Sequence, residues 1–229
     1  MKRLTVPMTR WEITLGFLYL ALQLTVIPLA LQLGNLLLGE PLSQSEVNFL
    51  FFCLNFLCVT VIFHKFLLES IRVALSSIGR CLGAVGCGLL LYWLLQILCS
   101  MIITACFPDF FNVNDDSIAG LVEENADLMT IGTVLLVPVV EESLYRGLVF
   151  RSLYNRNRLA GYVVSVAVFA ALHVVGYIGM YPPAQLILCF LQYVPAGICL
   201  GWAYARTNTI IAPILIHISV NLIGMIAMR

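Results

Sequence analysis

Of the 229 residues, 61% are hydrophobic and only 10% charged, and the twelve basic and twelve acidic side chains cancel. Together with a mean hydropathy of +0.99, this excludes a soluble globular domain and leaves no basic surplus for nucleic acid. The chain reads as an integral membrane protein, in which the position of each charge matters more than the total.

An apolar helix needs about 20 residues to cross a hydrocarbon core of ~30 Å. Apolar runs predict spans near 13–33, 48–68, 81–107, 128–150, 159–178, 184–205 and 209–228. The expected fold class is all-α: a polytopic transmembrane helical bundle of about seven spans, eight if the third or fourth is split. It forms one integral-membrane domain, 1–229, with a motif-bearing core at about 128–228. The first run follows Lys2, Arg3 and Arg10, is long enough to span and lacks a small-x-small cleavage site, so it reads as a retained helix, not a signal peptide. Pro138 is the expected breaking point of the fourth span, because proline frees a carbonyl in the preceding turn. The eight cysteines lie almost entirely inside apolar runs with no C-x-x-C pair, which favours small buried hydrophobes over disulfides or metal ligands. Gly79-x-x-x-Gly83 and Gly197-x-x-x-Gly201 read as helix-packing pairs.

Every Lys and Arg except Arg146 and Arg229 falls at one end of an alternating seven-span arrangement. The positive-inside rule makes that end cytoplasmic, with the N-terminus. The opposite connections carry only acidic charges, and the longest of them, 108–127, reads as a solvated extracytoplasmic loop.

The stretch Glu141-Glu142-Ser143-Leu144-Tyr145-Arg146-Gly147 breaks this pattern. A charge at the bilayer centre costs roughly 2.5–3.5 kcal/mol on insertion scales, so such residues persist when they pair, face a wet cavity or do chemistry. Residues four apart share a helix face and neighbours diverge by about 100°. Glu142 can therefore pair with Arg146 in an orienting, structural role, leaving Glu141 free. Two of the three histidines, His173 and His217, lie inside later spans, and Asn221 follows His217 by one turn. Counted from the basic end, Glu141 lies roughly 14 Å deep, His173 roughly 21 Å, and His217 with Asn221 roughly 12–18 Å. These depths are compatible with one site, expected in the cytoplasmic half of the bilayer. Singly each residue has a bland reading, as a hydrogen-bonded core histidine or an interhelical amide link. Their convergence on three helices points to an intramembrane active site.

Glu141-Glu142-x-x-x-Arg146-Gly147, Phe169-x-x-x-His173 and His217-x-x-x-Asn221, in this order, resemble the signature motifs of the CPBP (CAAX-protease and bacteriocin-processing, or Abi) family of intramembrane proteases. That family includes the prenyl-protein endopeptidase of the Rce1 type. The resemblance covers roughly residues 131–224, including the lead-in Arg206 to Ile216. It implies peptide-bond hydrolysis, with Glu141 and His173 activating a water and His217 and Asn221 donating to the oxyanion. Glu142, Arg146 and Phe169 would support that site. It also implies a membrane-associated peptide or protein as substrate; the residues favour a metal-free glutamate mechanism with no cofactor.

A zinc alternative would use Glu141, His173 and His217 as ligands. It is disfavoured, since no H-E-x-x-H pair is present and Asn221 would be left without a role. Compactness suits a bacterial plasma-membrane member. Two other classes are weighed: a non-catalytic immunity or scaffold protein that keeps the motifs for structure, and a proton-coupled transporter. The transporter ranks last because no internal repeat is visible.

Overall fold

The computed structural model describes residues 3–228, and over them the chain is helical with no strand. The elements are α1 Arg10–Leu24, α2 Val26–Leu36, α3 Gln44–Ile62, α4 His64–Ser76 and α5 Ile78–Cys106. They continue with α6 Val113–Glu124, α7 Ala126–Tyr154, α8 Arg158–Leu172, α9 Pro183–Thr207 and α10 Ile211–Ala227. All the expected apolar segments are helices. Four of them, α3, α5, α7 and α9, are long and apolar enough to cross a membrane, and α1 with α2 makes a fifth when the 44° bend between them is counted as one broken span. The remaining apolar helices, α8 and α10, have 15 and 17 residues and fall short of a full crossing. The chain is a multi-pass integral membrane protein.

Several boundaries move for local reasons. The first span bends at Thr25 because Pro28 cannot donate to the carbonyl of Leu24, one turn earlier. The second ends at Phe63, and the strongly amphipathic α4 turns off it with Lys65 and Arg72. Buried Glu12 secures this corner. One oxygen closes the capping box with Thr9, and the other accepts from the Phe66 amide in the first turn of α4, at 2.9 Å.

Two further proline-freed carbonyls are met by side chains. Pro195 leaves the Leu191 carbonyl of α9 unpaired, and the Cys99 thiol of α5 donates to it at 3.6 Å. Pro138 does not break α7. The helix widens into i→i+5 turns at Gly132–Leu136, where the Val137 amide bonds the Gly132 carbonyl. Pro138 cannot supply the next such bond, to Thr133, and the Asn221 amide of α10 does so at 2.8 Å. Gly197 and Gly201 face α8, where an added Cβ would meet Val166 and Tyr162 at 3.1 and 3.2 Å, so this pair packs helices as expected. Gly79 and Gly83 have open space around them and do not.

The two ends of the bundle separate by charge. At the basic end, residues 4–6 run across the helix termini. Leu4 exchanges two hydrogen bonds with Asn155, Thr5 pairs with Asn208, and the Val6 carbonyl accepts from Arg151. At the acidic end, the Ser45 amide donates to Glu124 and Asn112 donates to Gln192. The stretch 108–127 is therefore more than the solvated loop expected from its charges. It contains α6, whose N-terminal end packs over α9.

Candidate active site

The motif of α7 sits in the core. From Glu142 to Phe150 the helix keeps the wide π-type turn, and every residue of that stretch is buried. Such turns are rare and concentrate at functional sites. The wider turn brings residues four apart more nearly into line, which suits the expected pair. Arg146 Nη1 donates to Glu142 Oε1 at 3.1 Å, both side chains are fully buried, and the guanidinium lies 4.3 Å from the Phe169 ring centroid. Two neighbours fit the same packing. An added Cβ on Gly147 would meet Phe66 at 2.8 Å, and Ser165 donates to the Tyr145 carbonyl at 3.0 Å.

Glu142 has a second partner. His217 Nδ1 lies 2.9 Å from the same Oε1. A carboxylate already paired with arginine only accepts, so Nδ1 carries the hydrogen. Glu142 thus orients both Arg146 and His217, a link across 75 positions that spacing alone could not reveal.

Glu141 points the other way. Among the described residues its Oε2 is buried without a hydrogen-bond partner, and the side chain lines a cavity of about 630 Å³. His173, His217 and Asn221 line the same cavity, so the expected four side chains from three helices share one space. His173 caps the C-terminus of α8, and its Nδ1 lies 2.8 Å from the Phe169 carbonyl. A carbonyl only accepts, so Nδ1 is the donor and the neutral ring leaves an Nε2 lone pair free. One Asn221 N–H is committed to Thr133, and the rest of the amide is available to the cavity.

One constellation was absent from the motif reading. The Tyr193 ring stacks on His173 with centroids 4.0 Å apart, and its hydroxyl donates to Asp115 Oδ1 at 2.9 Å while accepting from Asn114 at 3.0 Å. Asp115, in the first turn of α6, therefore reaches His173 through Tyr193. Protein crowding pushes its carboxyl up from the ordinary value, against the opposing pull of the Tyr193 hydrogen bond. Only the tertiary fold brings α6 here, and the acidic run gave no local signal of it.

Among the described residues no three His, Cys, Asp or Glu side chains are gathered closely enough to hold an ion, and His217 Nδ1 is turned to Glu142. The eight cysteines are free thiols.

Fold and site together define a helical intramembrane bundle with a polar, carboxylate-containing cavity. Residues 124–223 match the family model described as type II CAAX prenyl endopeptidase Rce1-like. All three motifs lie inside that segment, over which the chain is similar to that family. A curated relative, UPF0177 protein YxdF of Lactococcus lactis subsp. lactis, is 32% identical over 90 residues, or 39% of this chain. The match spans less than half, 44%, of that relative's length. No solved structure matches.

Proposed function

We propose that this protein is an intramembrane endopeptidase that hydrolyses a peptide bond in a membrane-associated peptide or protein. The observation that carries the reading is the meeting of Glu141, His173, His217 and Asn221 on one cavity, with Glu141 turned into that cavity beside a Glu142 whose Oε1 is held by both Arg146 and His217.

Glu141, with His173 Nε2 as second acceptor, takes a proton from water as its oxygen attacks the scissile carbonyl carbon. The oxyanion receives hydrogen bonds from the free Asn221 N–H and from His217 Nε2. Because His217 Nδ1 already donates to Glu142, that second donation requires both ring nitrogens to carry hydrogen, and Glu142 is the counter-ion of that imidazolium. The C–N bond then breaks, and the proton held by Glu141 passes to the departing amine. Asp115 and Tyr193 hold the His173 ring in place and touch no reacting atom.

The test is substitution at constant abundance. Glu141→Gln and His173→Ala should remove a cleavage product from the cell while the protein stays inserted. An unaltered product pattern and phenotype would favour a non-catalytic binding role. The mechanism as drawn uses no metal, so chelator-treated purified protein should keep its activity. Loss restored by added zinc would overturn that part.

A further inference from the structure

The site's four side chains are shared by several helices, but the cavity extends toward only one end of the bundle. Its lining includes Asn48 near the start of α3, Asn112 and Asp115 before and within α6, Tyr177 in the turn after α8, and Met228 after α10. All of these lie at the acidic end. No residue of 3–9, 63–80, 151–158 or 204–212, the segments of the basic end, lines it.

The basic end is instead plugged beneath the site. Leu144, Leu148, Phe150, Phe63, Phe66 and Tyr204 are all fully buried. Phe150 stacks on Tyr154 with centroids 4.8 Å apart and meets Tyr162 edge-on at 5.0 Å. Every Lys and Arg of the described residues except Arg146 belongs to that plugged end. Basic residues in short connections are retained on the cytoplasmic side, where anionic lipid contributes about 1 kcal/mol per Lys or Arg. Charge therefore fixes the plugged end as cytoplasmic, and the mouth of the cavity faces outward.

We propose that the site is served from the extracytoplasmic face and acts on peptide segments that have already been inserted or exported. This rests on the endopeptidase reading for its chemistry but not for its sidedness. The walls favour an extended backbone. The Asn112 carboxamide is taken up by Gln192 and the first turn of α6, but the Asn48 oxygen and the Gln192 amide N–H stay open to the cavity, and one oxygen of Gln96 is buried without a partner among the described residues, groups that suit a peptide's donors and acceptors. Among the described residues Lys and Arg are absent from the lining, whereas Asp115 and Glu141 are present. The preferred segment is thus neutral or cationic, because an anionic C-terminal carboxylate would meet no counter-charge among the described lining residues.

Sidedness is read by labelling single introduced cysteines with a membrane-impermeant sulfonated maleimide, each against the unsubstituted chain. Ser117→Cys at the mouth and Val220→Cys deeper in the cavity should label in intact cells, and Arg156→Cys at the basic end only in inverted vesicles. Label reaching Ser117→Cys and Val220→Cys only in inverted vesicles would overturn the proposal. Fusions of a periplasm-active phosphatase within 108–112 give the same answer should either cysteine variant fail to accumulate. Substrate class is read from peptides that differ between wild-type and Glu141→Gln cells: cut bonds should lie in exported segments, and cuts in cytoplasmic segments would overturn it. Outward labelling with no differing peptide would leave the sidedness standing and remove the endopeptidase reading with its substrate class.

Discussion

Two carboxylates one residue apart on α7 have opposite surroundings. Each has one oxygen buried without a partner among the described residues, but Glu142 is fully buried with its other oxygen shared by Arg146 and His217, while Glu141 turns into the cavity with neither partner. The same helix thus presents a packed face and a cavity-facing one. The contrast teaches that most of the motif's charge is spent on orientation, and that this orientation is what leaves a single carboxylate uncommitted.

Substitutions should separate the two faces. Glu141→Gln, isosteric and unpaired, should lower cleavage by ~10²–10⁴-fold, the range for a positioned general base, with little change in unfolding. Glu142→Ala should do the reverse first. Leaving Arg146 buried without its carboxylate costs roughly 3–5 kcal/mol, visible as a lower midpoint of thermal unfolding in detergent. Equal instability of both variants would break the comparison.

Asn221→Ala lies between them, since the side chain serves both faces. Loss of an oxyanion donor should slow cleavage by ~10²–10³-fold. Orphaning the Thr133 carbonyl should add about 1–3 kcal/mol of instability. A rate loss without any change in unfolding would mean that the Thr133 link is dispensable.

The smallest expected effect is at Asp115. Its neighbours are the Tyr193 hydroxyl, the Asn112 and Asn114 amides and, beyond Tyr193, the His173 ring. With its folded pKa raised, the folded state holds the proton longer than the unfolded chain does. Stability is then complete below the ordinary aspartate value of about 3.9 and falls as pH rises through the raised one. Asp115→Asn should flatten that decline when unfolding is followed from pH 3 to 8. An unchanged slope would remove Asp115 from the network.

The hydropathy runs located the helices because a hydrocarbon solvent demands long apolar segments. The same runs hid the turn at Phe63, which lies inside one of them. Helical spacing divided Glu142 from Glu141 and paired Glu142 with Arg146, both local relations. The partners that complete the site are distant in sequence: His217 on Glu142, Asn221 on the Thr133 carbonyl, and Asp115 acting through Tyr193 on His173. Pro138 announced a freed carbonyl, but not that α7 would widen instead of breaking. Charge in the connections gave each end its sign. It could not show which end the cavity would open on, because the depth count that put the site in the cytoplasmic half measures distance along each helix and not the direction of a mouth.

The most direct test of the central claim compares membrane and medium peptides from cells carrying wild-type or Glu141→Gln protein at equal abundance. The account predicts at least one fragment present with wild type and lost with the variant, and retained when Glu69 on the solvent side of α4 is changed to Gln. Identical peptide sets at equal abundance would contradict a hydrolytic role for Glu141.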